Sequence, residues 1–80
     1  MREIFFTASA TRQWLGLSAD VRRRIDAKLL DCARTGQGDV KKLKGRAGAR
    51  LRIGDCHIIF FRAGNRLVIA AVGHRREIYD

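Results

Sequence analysis

The sequence has no proline, few cysteines and no long apolar run. None of its 80 residues is Pro and only two are Cys. Without a CxxC motif or a Cys/His spacing, Cys32 and Cys56 predict neither a disulfide scaffold nor a metal site, and we interpret both as small buried core residues. No apolar run approaches the ~18–20 residues of a membrane span, and the start MREIFFTASA lacks the apolar stretch of a signal peptide. We therefore expect a cytoplasmic protein with no cofactor, no metal and no membrane segment.

Acidic residues are also scarce. Eight Asp and Glu face seventeen Lys and Arg, which gives a formal net charge of +9 and a pI of about 11.1. This exceeds the charge of roughly 2–8 that keeps a small domain soluble. A field of this sign favours a polyanionic partner, namely nucleic acid, an anionic membrane surface or an acidic protein.

Length and composition predict one small globular domain over residues 1–80. Hydrophobic residues make up 46% of the chain and charged residues 31%, which is not the composition of a disordered protein. A chain of this length buries only about 60–65% of its unfolded surface, so the core is thin.

The order of local patterns predicts an α+β fold. Residues 2–6 (REIFF) have the β-branched and aromatic composition of a first strand, and residues 7–17 predict a short helix that ends near Gly16. Residues 18–36 predict a longer helix, with Ser18 as N-cap, Gly36 at the end, and Val21, Ile25, Leu29 and Ala33 on one apolar face. A polar, glycine-rich loop follows over 35–48. Three strands at 49–54, 56–62 and 66–73 complete an antiparallel meander, so the fold class is an N-terminal strand, a helix hairpin and a β-meander.

Two of the predicted strands are apolar at consecutive positions rather than at alternate ones. IIFF (58–61) and LVIAAV (67–72) make both faces of the sheet apolar at these strands. Two helices cover only one face. Either the other face curls over its own side chains or another molecule covers it.

Several polar residues around the meander suit the cleavage of RNA without a metal. Arg50 and Arg52 alternate with apolar neighbours and so share a face, His57 opens the next strand, and Arg75 and Tyr79 follow the last strand. In this reaction the 2′-hydroxyl attacks the neighbouring phosphate, which requires a proton acceptor, cations for the transition state and a proton donor for the leaving oxygen. Arg holds phosphate oxygens with a permanent charge, while His and Tyr transfer protons. Taken singly, each residue also has a purely structural interpretation, in packing or in surface ion pairs.

Three stretches carry a resemblance to a known family: LKG (43–45), RLRIGD (50–55) and VGHRREIY (72–79). With the β-αα-βββ order, the chain resembles the RelE branch of the RelE/ParE superfamily of toxins from toxin–antitoxin systems. The resemblance implies a toxin that enters the ribosomal A site and cuts mRNA, and an antitoxin that wraps around it.

The resemblance also implies roles for individual residues. Arg75 and Tyr79 match an Arg and a Tyr that participate in cleavage, and Arg50 matches a basic residue that enters the second strand. Where the family has GDYR, this chain has GDCH, so Cys56 replaces an aromatic residue and His57 a phosphate-binding Arg. The loss of a permanent charge weakens transition-state stabilisation, whereas an imidazole adds an acid–base group. We expect retained but pH-sensitive activity.

The sequence thus predicts a ribosome-dependent mRNA endonuclease held inactive by a cognate acidic, RelB-like antitoxin in a hetero-oligomer. The predicted catalytic residues are Arg50, His57, Arg75 and Tyr79. The residues predicted to bind rRNA or mRNA are Lys41, Lys42, Lys44, Arg46, Arg52, His74 and Arg76. Two alternatives stay open: a ParE-type inhibitor of DNA gyrase that is not an enzyme, and a catalytically weakened toxin that only binds its antitoxin.

Overall fold

The computed structural model describes residues 2–35, 40–42 and 48–74. Along these residues the elements are β1 (Glu3–Phe6), α1 (Ala8–Leu15), α2 (Ala19–Thr35), β2 (Val40–Lys42), β3 (Ala49–Ile53), β4 (Cys56–Ala63) and β5 (Arg66–His74). This order confirms the predicted α+β class, with a first strand, a helix hairpin and a three-stranded meander.

Side chains cap both helices at their N-termini. The Thr7 hydroxyl accepts a hydrogen bond from the Ala10 N–H at 3.1 Å, and the Ser18 hydroxyl accepts one from the Val21 N–H at 3.3 Å. These bonds satisfy N–H groups that have no partner within the first turn of a helix. Gly16 follows the last residue of α1, so this helix ends where the sequence predicts. Within the described residues, neither helix combines the length and the apolar composition that crossing a membrane takes.

The five strands form one mixed sheet in the order β1-β5-β4-β3-β2. β1 is parallel to β5, and the remaining neighbours are antiparallel. The predicted loop over 35–48 is wrong at Val40–Lys42, where β2 pairs with β3 and Lys41 lies opposite Arg50. Three residues are too few to show an alternating pattern, so the pairing with β3 defines this edge strand. Gly36 and the other residues of the predicted loop at 36–39 and 43–47 lie outside the described residues.

One face of the sheet packs against both helices and forms the core. From the helices, the buried residues include Ala10, Ile25, Leu29 and Cys32; from the sheet, they include Leu51, Cys56, Ile58, Phe60, Leu67, Ile69 and Val72. Both cysteines are therefore core residues, as predicted, and both thiols are free.

A β-bulge in β5 explains part of its continuous apolar run. Ile59 pairs with Ala71 and Phe60 pairs with Ile69, which leaves Ala70 as the additional residue. The bulge shifts the alternation of β5 by one position. As a result Ile69 and Val72, three residues apart, are both buried in the core on the helix side.

Candidate nucleic-acid interface

The face of β3 and β4 that is turned away from the helices carries three of the predicted site residues, Arg50, Arg52 and His57. Leu51 and Ile53 are buried in the core, whereas Arg52, which lies between them, is exposed. Because side chains alternate along a strand, Arg50 and Arg52 share the opposite face, as the sequence predicts. We call this the outer sheet face and define it by Arg50, Arg52, His57, Ile59 and Phe61.

Strand register makes neighbours of these residues. Arg52 lies opposite His57, which in turn lies opposite Gly73 on β5. The Cβ atoms of directly opposite residues in an antiparallel pair are about 4.5–5.5 Å apart. Arg50 lies opposite Ile59 in the adjacent row. The structure therefore brings Arg50, Arg52 and His57 together near the end of the sheet where β5 finishes.

His57 is largely enclosed, with only 8% of its surface exposed and its Nδ1 atom buried. The strand neighbour on one side is Gly73, which has no side chain, and on the other side it is Arg52. An imidazole held by its surroundings has a fixed orientation, which a group that transfers protons requires.

The outer sheet face also has an apolar part. Ile59 is 7% exposed and Phe61 is 36% exposed, so the chain itself covers this face at Ile59 and leaves the Phe61 ring partly open. Gly48 lies against that ring: a Cβ atom built on Gly48 would be 2.8 Å from the Cδ1 and Cε1 atoms of Phe61. Only a residue without a side chain allows the backbone before β3 to lie this close.

His74 lies on the other side of the sheet. It is opposite Cys56, which belongs to the core on the helix side. His74 lines one cleft with Arg12 and Gln13 and a smaller one with Arg24. The structure therefore separates His74 from the outer sheet face, although the sequence predicts RNA contacts for His74 as well as for Arg52.

Arg12 and Arg24 were not among the predicted site residues. The sequence marks Arg24 only as part of a run of three arginines (22–24) and Arg12 only as a cation in the last turn of α1. Their approach to His74 depends on how the turn between the helices packs on the end of β5. No local pattern in the sequence reports that packing.

The remaining predicted residues are described in part or not at all. Lys41 and Lys42 are described only through their backbone, which belongs to β2. Lys44, Arg46, Arg75, Arg76 and Tyr79 lie outside the described residues, so their roles stay predictions. Among residues 2–35, 40–42 and 48–74, no three His, Cys, Asp or Glu side chains gather as the ligands of a metal would.

Solved structures provide the comparison with known proteins. No protein-family model and no curated protein matches the sequence. The RelB–RelE antitoxin–toxin complex of Methanococcus jannaschii is 26% identical, with 95% of each chain covered and a TM-score of 0.77. The RelBE toxin–antitoxin complex of E. coli is 16% identical, covers 92% of this chain and 96% of its own, and has a TM-score of 0.81. The YoeB dimer of Staphylococcus aureus is 20% identical, with 92% and 97% covered and a TM-score of 0.77.

These similarities extend over nearly the whole chain, and they agree with the order of strands and helices described above. The chain therefore has the RelE-like fold of the RelE, YoeB and ParE toxins of type II toxin–antitoxin systems.

Proposed function

We propose that this chain is the toxin of a type II toxin–antitoxin pair and that it cuts mRNA on the ribosome. The fold and the solved complexes of similar toxins with their antitoxins support the toxin role. The C-terminal stretch VGHRREIY and the charge of +9 support an RNA substrate. The proposal includes a single domain over residues 1–80 and action in the cytoplasm.

One observation carries the nuclease proposal, namely the row formed by Arg52, His57 and Gly73. β5 ends at His74, so the chain enters residues 75–80 from the end of the sheet at which this row lies. In the proposed site, two permanent cations and two proton-transferring groups meet around one phosphate. The cations are Arg50 and Arg75, and the proton-transferring groups are His57 and Tyr79.

The proposed reaction needs no metal. The 2′-hydroxyl of the substrate attacks the adjacent phosphorus atom while His57 accepts the hydroxyl proton. The P–O5′ bond breaks, and Tyr79 donates a proton to the leaving 5′-oxygen, so that a 2′,3′-cyclic phosphate and a 5′-hydroxyl result. Arg50 and Arg75 bind the non-bridging oxygens, where negative charge grows in the transition state.

The cationic residues outside this centre are proposed to hold the backbone of mRNA or rRNA. They are Lys41, Lys42, Lys44, Arg46, Arg52, His74 and Arg76. Contacts of this kind position the RNA without reading its sequence. The partner that neutralises the toxin is proposed to be an acidic antitoxin, because an acidic segment that folds on binding complements the positive charge of the chain.

In vitro translation tests the proposal, with the 5′ ends of the message mapped after addition of the protein. We expect discrete cuts within codons that require ribosomes. The double variant Arg75→Ala/Tyr79→Phe is expected to cut at least about 100-fold more slowly, because it loses a phosphate-binding cation and a proton donor.

Lys28→Ala/Arg34→Ala is the matched control, since it removes two exposed cations from α2 and leaves the proposed centre intact. It should cut at the wild-type rate. An uncut message combined with inhibition of DNA supercoiling by gyrase would contradict the proposal and favour the ParE-type alternative. An uncut message without gyrase inhibition, from a folded protein, would favour a weakened toxin.

A further inference from the structure

β5 extends beyond the strand that covers its edge. β1 pairs with β5 only from Arg66 to Ile69. Past that point α1 replaces the strand: the Thr7 hydroxyl donates to the Ala70 carbonyl at 3.4 Å, and the Val72 N–H donates to Oε1 of Gln13 at 2.8 Å. Among the described residues, side chains rather than a strand therefore bond to two backbone groups on this part of the edge, the Ala70 C=O and the Val72 N–H.

The bond to Gln13 shows which backbone groups lie on this edge. In an antiparallel strand the N–H and C=O of one residue point to the same side, and those of the residue two positions on do so as well. Since the Val72 N–H points away from β4, the Val72 C=O and both the N–H and the C=O of His74 also lie on the side away from β4. Within the described residues, Gln13 is the group that bonds to this edge between Val72 and His74.

These groups border a cleft of about 380 Å³, which we call the β5-edge cleft. The residues that line it are Arg12, Gln13, Gly16, Leu17, Val72, Gly73 and His74. The side chain of Leu17 is apolar, and Gly73 lines the cleft through its backbone. Because Oε1 of Gln13 is engaged, its NH₂ group is the part of the amide left to donate. An apolar wall with a few fixed hydrogen-bonding groups suits a flat polar ring.

Beyond the bond to Gln13, this edge has a definite order of hydrogen-bonding groups in the part of the chain that the structure describes. It presents an acceptor (Val72 C=O), a donor (His74 N–H) and a second acceptor (His74 C=O) in succession. The complementary base edge is a donor, then an acceptor, then a group that is not an acceptor. Adenine has this order, with its amino group, N1 and C2–H. Cytosine places a carbonyl in the third position, and guanine and uracil each begin with a carbonyl.

We propose that the β5-edge cleft binds an adenine base of the RNA substrate. The amino group of the base donates to the Val72 carbonyl, and N1 accepts from the His74 N–H. Single-stranded RNA is commonly read in this way, with an unstacked base held by hydrogen bonds along its Watson–Crick edge. This inference rests on the proposed nuclease function and adds a preference for adenine to it. The base lies on the helix side of the sheet, where His74 is.

Nuclear magnetic resonance of the free, ¹⁵N-labelled protein tests the inference without ribosomes or cleavage. Adenosine, inosine, cytidine and uridine are titrated separately, because nucleosides carry no phosphate for the basic chain to attract. Adenosine is expected to shift the backbone amide of His74 and the side-chain amide of Gln13 in a saturable manner. Purine riboside, which lacks the amino group, should bind roughly tenfold more weakly.

Gly16→Leu narrows the cleft and provides a second test. The φ angle of Gly16 is −76°, and the nearest atom to an added Cβ is the Gln13 carbonyl oxygen at 3.4 Å, so the backbone accepts a side chain there. This variant should lose adenosine binding while it retains a folded spectrum. Ala27→Leu, which adds the same bulk at an exposed position of α2, should bind adenosine as the wild type does.

Three results would overturn the inference. Equal shifts by all four nucleosides would show that the cleft does not read the base. Stronger shifts of the same amides by inorganic phosphate, or by a glutamate-rich peptide, would assign the cleft to an anion or to an acidic partner. Unchanged His74 and Gln13 signals at saturating adenosine would leave no base site. None of these results contradicts the nuclease proposal. Adenosine binding by a protein that cuts no message would show that the cleft binds a base although the proposed nuclease function is wrong.

Discussion

His57 stands where the resemblance leads us to expect a phosphate-binding Arg. The structure places it beside Arg52 with 8% of its surface exposed. An imidazole changes its protonation near neutral pH, whereas a guanidinium does not. A centre that uses His57 as a proton acceptor therefore depends on pH in a way that an arginine centre would not.

We expect His57→Gln to lose this pH dependence as well as most of the activity. Gln keeps hydrogen-bonding capacity but does not accept a proton, so the rate of cleavage should fall by about 100-fold or more and become flat from about pH 6 to about pH 8. Single-turnover cleavage of a short message on stalled ribosomes measures both properties. A variant that matches the wild type across this range would show that His57 has no role in proton transfer.

Gly48 is the second position where one residue determines a local structure. Its φ angle is +103°, and an added Cβ would lie 2.8 Å from the Phe61 ring and 2.9 Å from the Phe60 carbonyl oxygen. We expect Gly48→Ala to lower the free energy of unfolding by about 3 kcal/mol, from backbone strain together with steric overlap. Urea unfolding followed by circular dichroism measures this change.

Gly54→Ala is the matched control for Gly48→Ala. Gly54 also has a positive φ, +56°, but nothing lies within 4 Å of an added Cβ. The left-handed conformation alone costs about 1–2 kcal/mol. Equal destabilisation by the two substitutions would mean that the contact with Phe61 contributes nothing.

At the scale of elements, the junction of β1 and α1 joins the helix hairpin to β5. Thr7 caps α1 through its hydroxyl oxygen, and the same hydroxyl donates to the Ala70 carbonyl at the bulge of β5. Its backbone N–H also donates to the Ile69 carbonyl at 3.0 Å. One residue thus begins a helix and fixes that helix on the edge of the sheet.

Thr7→Ala is expected to lower the free energy of unfolding by about 1–2 kcal/mol, because it removes the cap and one bond to β5. Thr11→Ala is the control, since the Thr11 hydroxyl is exposed and donates to the carbonyl of Thr7, one helical turn before it. Its effect should stay below about 0.5 kcal/mol. Urea unfolding measures the midpoint of each variant. Equal midpoints for Thr7→Ala and Thr11→Ala would show that the Thr7 cap contributes no stability.

The Trp14 indole shows how the two helices pack against each other. Its Nε1–H donates to Asp26 of α2 at 3.0 Å, and the guanidinium of Arg22 lies 5.2 Å from the centre of its ring. The ring also meets Phe6 edge to face, with 6.2 Å between the ring centres. Trp14 therefore connects both helices and β1, a role for which its size and its single donor suit it.

For the whole molecule, the formal charge of +9 predicts strong dependence of RNA binding on salt. Each phosphate contact of single-stranded nucleic acid contributes roughly −0.7 to the slope of log affinity against log salt. Removal of two contacts by Arg50→Ala/Arg52→Ala should therefore make this slope less negative by about 1.4. Fluorescence anisotropy of a labelled single-stranded RNA, measured at a series of salt concentrations, provides the slopes.

Lys28→Ala/Arg34→Ala removes the same total charge from the exposed surface of α2 and serves as the control. The salt dependence of this variant should match that of the wild type if the outer sheet face binds the phosphate backbone of the RNA. If both double variants make the slope less negative by the same amount, net charge rather than the outer sheet face governs binding.

Much of the fold follows from local patterns. The four-residue recurrence of Val21, Ile25 and Leu29 predicts α2, the Ser18 cap predicts where it begins, and turns at 54–55 and 63–65 predict the meander. The shared face of Arg50 and Arg52 follows in the same way from strand alternation. These features depend on neighbours a few residues apart, which a sequence displays directly.

Other features depend on which distant segments meet. The parallel pairing of β1 with β5, the edge strand β2 and the bulge at Ala70 come from backbone pairing across the sheet, and none has a signature in its own residues. The same pairing places His57 beside Arg52 and places His74 on the opposite side with Arg12. A shift of one residue moves every side chain to the other face, so only the register decides which cations share a surface.

The amino-acid sequence by itself determined every described element except β2, the buried cysteines, the strongly positive charge and the C-terminal stretch on which the nuclease proposal rests. The tertiary structure decided which polar groups lie together and where, among the described residues, the pairing of β1 with β5 stops. The reason is physical: propensity and periodicity act within an element, whereas strand register and helix docking are set by packing of the whole core.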